Sequence, residues 1–278
     1  MNTKFLTVGS DPESFLRNSK GELVSAIGLI PGTKSSPFKT TNGSIQHDNI
    51  LAEFNSRPSN TLLEFINNHR LIIGDLNSIL NPLDLKLDFI ASAMCSDELL
   101  SDPIAKVAGC DPDYNAWLLC RNNPVSYTYT SLRAAGGHVH IAFDQSVNNP
   151  KARIDFVRAL DMVLGVPSVV VDNDNARRTV YGKAGSFRPK DTINFNDDIG
   201  PDPYDGVEYR TLSNFWLRSE SLMEFVWNGV ERVYNNLEEL SERAEFYKDA
   251  IIDIINTGNS AKADLFCRVE GIYAPGTI

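Results

Sequence analysis

The run AGGHVHIAFD, Ala135–Asp144, decides how this chain reads. Two glycines lead into a short apolar stretch, and two of the four histidines of the sequence fall inside it at i and i+2. A β-strand repeats its side-chain direction every second residue. His138 and His140 are therefore predicted to share one face, with Val139, Ile141 and Phe143 on the other. Alone, such a pair also fits a solvated strand face. Three further stretches carry polar pairs at the same spacing: Asp11/Glu13, Glu53/Asn55 and Glu208/Arg210. Solvated sheet faces mix Thr, Lys and Ser more freely. Acids, histidines and an arginine together suit a cation-lined sheet face with an anion-binding rim.

Composition bounds the answer. The chain has 278 residues, 42% apolar and 22% charged, as a globular protein does. Its net charge of -10 speaks against a broad nucleic-acid surface, though not against a small basic pocket. Cys95, Cys110, Cys120 and Cys267 are widely spaced with no CxxC. That disfavours a structural zinc site and suits reduced thiols in a cytosolic compartment. The start, MNTKFLTVGSDPE, has no cleavage signature, and no run approaches 18 apolar residues. No membrane association is expected, and a cytoplasmic location is.

Outward from the HxH run, Phe5 to Gly9 reads as a strand entering Asp11-Pro12-Glu13, where proline argues for an edge or a bulge. Residues 28–44 form a long Gly/Pro/Ser/Thr-rich loop with room for a short hairpin, carrying Lys34 and Lys39 but no Walker A sequence. Ile50 to Asn55 reads as a strand that sets Glu53 among apolar neighbours, just after His47 and Asp48. An unpaired buried carboxylate is costly, so Glu53 is either on a solvated face or held in a site. A helix capped by Ser59 or Asn60 runs to Asn81-Pro82, with His69 as a surface or boundary residue. In the irregular connector 107–126, Asp111, Asp113, Tyr114 and Trp117 either wall a substrate pocket or pack a loop around Trp117. Asn149 to Leu164 reads as a helix. Arg177, Arg178, Lys183, Arg188 and Lys190 then crowd a loop loosened by Gly182 and Gly185, which suits an anionic ligand. A polar loop, 194–206, precedes the strand VEYRTL, and helices follow residue 215. The expected whole is a single α+β domain over 1–278, with a core at about 5–235 and a helical C-terminal portion at about 215–270. Carboxylates with an occasional imidazole suit Mg²⁺ or Mn²⁺, and the added arginines suit a nucleotide polyphosphate.

The ordered set DPE, HDNxxxEFN, GGHVH, RR…YGKAGSFR and GxEYRxLSNFW resembles the phage phiEco32-like COOH–NH2 ligases, relatives of glutamine synthetase and glutamate–cysteine ligase, over roughly residues 5 to 235. The resemblance implies a glutamine synthetase-like catalytic domain: a curved, mainly antiparallel sheet with helices packed on its outer side. It implies an ATP-dependent carboxylate–amine ligase that forms an amide through an acyl phosphate, with ATP and Mg²⁺ (or Mn²⁺) as cofactors and small-molecule or peptide carboxylates and amines as partners. Carried over residue by residue, Asp11, Glu13, Glu53 and Glu208 would hold metal ions, with the family histidine falling on His138 or His140 and His138 the expected metal ligand. His140, Lys183, Arg188 and Arg177 would contact nucleotide, and Arg178, Arg188, Arg210 and Glu53 would act in the chemistry. The chain departs from the wider superfamily in having Asp-Pro-Glu where two glutamates are common, and only one clear glutamate in the second acidic strand. No separate amino-terminal β-grasp unit is evident, so the oligomeric ring of glutamine synthetase is not implied. Two rival readings stand beside it: a zinc hydrolase built on the HxH strand, and a non-catalytic phage accessory protein retaining the ligase fold.

Overall fold

A computed structural model describes residues 5–106, 113–123, 130–146, 149–172, 174–190, 206–272 and 275, with the side chains of Gln145 and Lys190 left aside. Cys110, Asp111 and residues 194–205 of the polar loop lie outside the described residues, as does the side chain of Lys190.

Proline cannot donate to a strand ladder, and at Asp11-Pro12 the chain leaves one sheet for another. Strand β1 (Leu6–Ser10) ends before it and β2 (Glu13–Asn18) begins after it. The next strands are β3 (Leu23–Val24), β4 (Phe38–Thr40), β5 (Gly43–Asp48) and β6 (Leu51–Ser56). The expected loop at 28–44 thus contains β4 and opens β5. Helix α1 (Leu62–Leu80) follows, then β7 (Leu85–Asp88), β8 (Ser92–Met94), the short pair β9 (Tyr114–Asn115) and β10 (Cys120–Arg121), β11 (Leu132–Ala134) and β12 (Val139–Phe143). After α2 (Pro150–Leu160), α3 (Val166–Val171) and α4 (Asn175–Val180) come β13 (Ser186–Lys190) and β14 (Gly206–Tyr209). Helices α5 (Glu220–Asn235), α6 (Leu237–Phe246), α7 (Lys248–Thr257) and α8 (Ser260–Glu270) complete the order.

One sheet runs β1-β12-β14-β13-β9-β10, and the second runs β3-β2-β6-β5-β4 with β7 also on β2. The described pairings are antiparallel. Backbone bonds knit the two sheets together where the chain crosses. Val8 and Ser59 exchange two bonds of 2.8 Å, and Glu13 N–H donates to Gly136 O at 2.9 Å. The result is the mixed α+β architecture the resemblance implies, with curled antiparallel strands and flanking helices.

Alternation decides which face is core. Val139, Tyr209 and Phe187 stand opposite one another on β12, β14 and β13, as do Ile141 and Val207. All are buried in the main apolar cluster with Phe156, Leu160 and Leu164. Helix α1 turns Phe65, Ile72, Leu76 and Leu80 inward at helical spacing, each worth about 1.5–3 kcal/mol of transfer. Its cap is Thr61, whose side chain accepts from Glu64 N–H, and not Ser59 or Asn60, whose side chains bond to Asn68 and to Leu6 O and Thr7.

Three local expectations need correction. His69 is not at the surface: it is wholly buried, 2.6 Å from both Phe65 O and Ser10 Oγ and edge-on to Trp216. Burial pushes its pKa down to about 4. The ring is therefore neutral, with Nδ1–H donating to the carbonyl and Nε2 accepting from Ser10. The helix expected over Asn149–Leu164 stops at Leu160, where a π-helical turn (Asp161–Gly165) takes over. The helix expected from Phe215 begins at Glu220, after a tight 3₁₀ turn at Asn214–Arg218 that buries Phe215, Trp216 and Leu217.

Candidate active site

Two rows of polar side chains, one on each sheet, meet at Asp11. On the first sheet His140 pairs with Glu208, and Glu208 pairs with Arg188, across three adjacent strands. Directly opposite residues project to the same face, so this face opposes the apolar one described above. On the second sheet Glu13 pairs with Glu53, and Glu53 with Gln46. Gln46 had no signal in the sequence beyond lying seven residues before Glu53. Its Nε2 donates to Glu53 Oε2 at 2.9 Å, while its buried Oε1 has no hydrogen-bond partner.

The two glycines before His138 are there for space. A Cβ on Gly136 would lie 2.3 Å from His138 Nε2, and one on Gly137 would lie 2.1 Å from Ser213 O. Gly136 N–H donates to Glu13 Oε2 at 2.7 Å. The SNFW segment secures the same crossing: Asn214 Nδ2 donates to Glu13 O, and Trp216 Nε1 to Gly137 O. Neither role was legible in the sequence beyond their place in the GxEYRxLSNFW motif.

Asp11, His140 and Glu208 offer ligand atoms that all lie within 4.8 Å of one another. Asp11 Oδ1 is 3.0 Å from His140 Nε2, yet both buried atoms lack an aligned hydrogen-bond partner. Facing, unsatisfied oxygen and nitrogen atoms fit a divalent cation. His138 stands just before β12, not within it. Its Nδ1 is 3.3 Å from Asp11 Oδ1 and 3.6 Å from Glu208 Oε1, and its Nε2 is 3.2 Å from Tyr181 Oη. Burial, with the nearby charge of Arg210, lowers its pKa to about 4, so the ring is neutral. The trio thus draws its imidazole from His140, and His138 braces Asp11 from the side.

The carboxylates are electrostatically divided. Burial opposes ionisation of Asp11, but His140 and His138 hold it well below the usual range. Burial likewise opposes ionisation of Glu208, and Arg210 beside it brings the pKa down to about 2. Arg210 Nη1 donates to Glu208 Oε1, and Arg188 Nη1 donates to Oε2 at 3.2 Å. On the second sheet the balance reverses. Burial and the charge of Asp48 push Glu13 up to about 8. Burial and the charges of Asp11, Asp48 and Glu13 push Glu53 well up. Asp48, at the end of β5, is also raised by burial, against the pull of Lys34.

A cation can bind Glu13 only after its proton leaves. Mn²⁺ titration in weakly buffered solution at pH 7 is therefore expected to release about one proton from Glu13 and up to a second from Glu53 where both ligate the ion, with affinity rising as pH climbs from 6 through 8. Titration calorimetry in buffers of different ionisation enthalpy reads this directly. Binding without proton release would show that neither Glu13 nor Glu53 is a ligand.

The basic loop divides. Arg188 joins the cluster. Arg177 is buried, and its Nε, Nη1 and Nη2 donate to Ala135 O, Thr211 O and Leu212 O at 3.1, 2.9 and 2.8 Å. It therefore staples the HxH run to the segment after β14, and its donors point at backbone where a nucleotide contact was expected. Arg177→Met should cost about 3 kcal/mol of stability, read by urea unfolding, because charged hydrogen bonds to buried carbonyls are lost. Arg178 is also buried, and its strongest electrostatic neighbours are Arg177, Asp172 and Tyr209, not the site carboxylates. Lys183 is exposed. Asp113 is 3.7 Å from Arg210 through its Oδ2, at the edge of the cluster, while Trp117 is a buried anchor.

Residues 125–263 match the family model described as phage phiEco32-like COOH–NH2 ligase, type 2. The chain belongs to this family. In this chain GGHVH, RR…YGKAGSFR and GxEYRxLSNFW fall inside the matched span, and DPE and HDNxxxEFN precede it. Comparison with curated proteins gives no match. Among solved structures the chain is similar to apo GmaS without ligand, at 14% identity and a TM-score of 0.42, covering 96% of this chain and 69% of that one. A GmaS complex with ADP is similar at 11% identity and a TM-score of 0.40, with the same coverage. Among the described residues, no helix of this ligase-family chain is long and apolar enough to cross a membrane.

Proposed function

We propose that this chain is an ATP-dependent carboxylate–amine ligase. In this reading the γ-phosphoryl group of ATP passes to a substrate carboxylate, giving an acyl phosphate and ADP. An amine then attacks the acyl carbon, and phosphate leaves as the amide forms. The observation that supports it most is the His140–Glu208–Arg188 row, which stands beside Asp11 and gives three clustered atoms of a kind that suits a divalent cation, with Arg188 and Arg210 against Glu208.

Asp11, His140 and Glu208 would hold one divalent ion, and Glu13 with Glu53 a second. Bound there, Mg²⁺ or Mn²⁺ would neutralise phosphate oxygens. Arg188 and Arg210 would stabilise charge on the transferred phosphoryl group from preorganised positions. His138, neutral and braced by Tyr181, would keep Asp11 oriented. The low pKa of Glu208 keeps its carboxylate ionised throughout the neutral range. Small-molecule or peptide acids and amines are the expected substrates.

The experiment is coupled detection of ADP and phosphate with a panel of carboxylates, each with and without amines. Release that requires both an acid and an amine supports the reading. Nucleotide that never binds in the presence of Mg²⁺ contradicts it.

A further inference from the structure

One buried carboxylate lies behind the cluster and takes no part in it. Asp161 opens the π-helical turn after α2 and is 0% exposed. Four donors from three separate segments converge on it. Trp117 Nε1 and Gly185 N–H donate to Oδ2 at 2.7 and 2.5 Å, and Tyr209 Oη and Thr211 Oγ1 donate to Oδ1 at 2.7 and 3.0 Å. Trp117 Nε1 and Gly185 N–H can only donate, so Oδ2 is an acceptor; the two hydroxyls complete the shell at Oδ1, where Thr211 Oγ1 also reaches Lys183 O at 3.2 Å.

Tyr209 and Thr211 sit next to residues of the cluster in the chain, and Gly185 and Trp117 lie within four residues of one. Tyr209 lies between Glu208 and Arg210, and strand alternation sends its ring to the far face. Thr211 follows Arg210. Gly185 leads into the strand that carries Arg188, and Trp117 closes the turn after Asp113-Tyr114-Asn115. The turn is built for this approach. Val166 N–H bonds back five residues to Asp161 O, which widens the helix there. A Cβ on Gly165 would lie 2.9 Å from Tyr209 Oη, and one on Gly185 would lie 2.7 Å from Trp117, at a φ of +77°.

We propose that Asp161 is a positioning residue: from the far face of the sheet its carboxylate sets the placement of Glu208, Arg210 and Arg188, so that cation affinity depends on a group that touches no ligand. The proposal deepens the ligase reading, but its cation arm stands without it.

The test uses the full chain and Mn²⁺ alone. Asp161→Asn keeps the size but turns an amide toward two donors, Tyr209→Phe removes one donor, and Thr211→Val removes another. Mn²⁺ affinity is read by paramagnetic resonance or calorimetry, and the metal-free melting midpoint is read in parallel. Asp161→Asn is expected to weaken Mn²⁺ about 10-fold or more, the usual scale for groups that orient metal ligands. Tyr209→Phe is expected to weaken it several-fold, and the double variant no further than Asp161→Asn alone. A melting midpoint that falls in these variants while Mn²⁺ affinity stays at the wild-type value would assign Asp161 a purely structural role and overturn the proposal. So would additive effects in the double variant, or a wild-type protein that binds no Mn²⁺. If Asp161→Asn does not fold, Tyr209→Phe and Thr211→Val decide: wild-type affinity in both overturns the proposal. Weakened Mn²⁺ binding in a protein without ATP turnover would uphold the positioning role and remove the ligase reading.

Discussion

Replacing Glu208 with glutamine is expected to cut ATP-dependent turnover about 10²–10³-fold, the scale seen when one group that stabilises transition-state charge is lost. The change keeps the shape and removes the charge between Arg188 and Arg210. It also removes one of the three atoms offered to the first cation. The protein should lose stability as well, by about 3 kcal/mol, because Arg210 is left buried against a neutral amide. The pH dependence separates these effects. Glu208 has a folded-state pKa of about 2 against an ordinary 4.5. Its contribution is present above pH 4.5 and fades as pH falls toward 2. The variant should therefore show a shallower acid limb over that window, measured by unfolding in urea at stepped pH. An equal loss at pH 7 and pH 2 would contradict the ion-pair account.

Glu53→Gln should separate stability from activity in the opposite direction. Glu53 is buried, and the charges of Asp11, Asp48 and Glu13 add to the cost of ionising it. A raised folded-state pKa means that the folded chain holds a proton the unfolded chain gives up, so stability falls as pH rises above the ordinary carboxylate range. The introduced amide has no such proton to lose, and it can face the unsatisfied Gln46 Oε1. The metal-free variant should match the parent near pH 4 and exceed it by about 1–2 kcal/mol at alkaline pH. Turnover should still drop about 10²-fold or more, because a cation ligand is gone. Melting curves from pH 4 to pH 9, with and without Mg²⁺, test both halves. A variant less stable than the parent at pH 9 without metal would show that Glu53 is satisfied as an anion by groups other than an ion.

Much of this site was written in strand alternation. The i, i+2 spacing of His138/His140 and Glu208/Arg210 marked polar faces because a pleat has a period of two. The acidic pair Asp11/Glu13 was visible for another reason than the one expected: Pro12 breaks the ladder, so the two acids serve two sheets at the crossing and do not share one strand face. Which histidine joins Asp11 and Glu208, and that Glu53 would stand between Glu13 and Gln46, depends on register between distant strands. Single-strand patterns do not carry register. The basic loop shows the same limit. Five cations near two glycines looked like one anion-binding feature, yet Arg177 points at three backbone carbonyls, and Arg178 is buried on the same helix α4 with its Nε and Nη1 lacking a hydrogen-bond partner. Asp161 was hidden for a related reason. It lies at the end of an apolar helical stripe, and only the π-helical turn and the four donors brought in from elsewhere reveal it.

The most direct test of the account is equilibrium binding of a non-hydrolysable ATP analogue, with Mg²⁺ present or chelated, to the parent and to Glu208→Gln. The account predicts Mg²⁺-dependent binding by the parent that is lost or much weakened in the variant. Tight Zn²⁺ binding with no analogue bound at any Mg²⁺ concentration would contradict it.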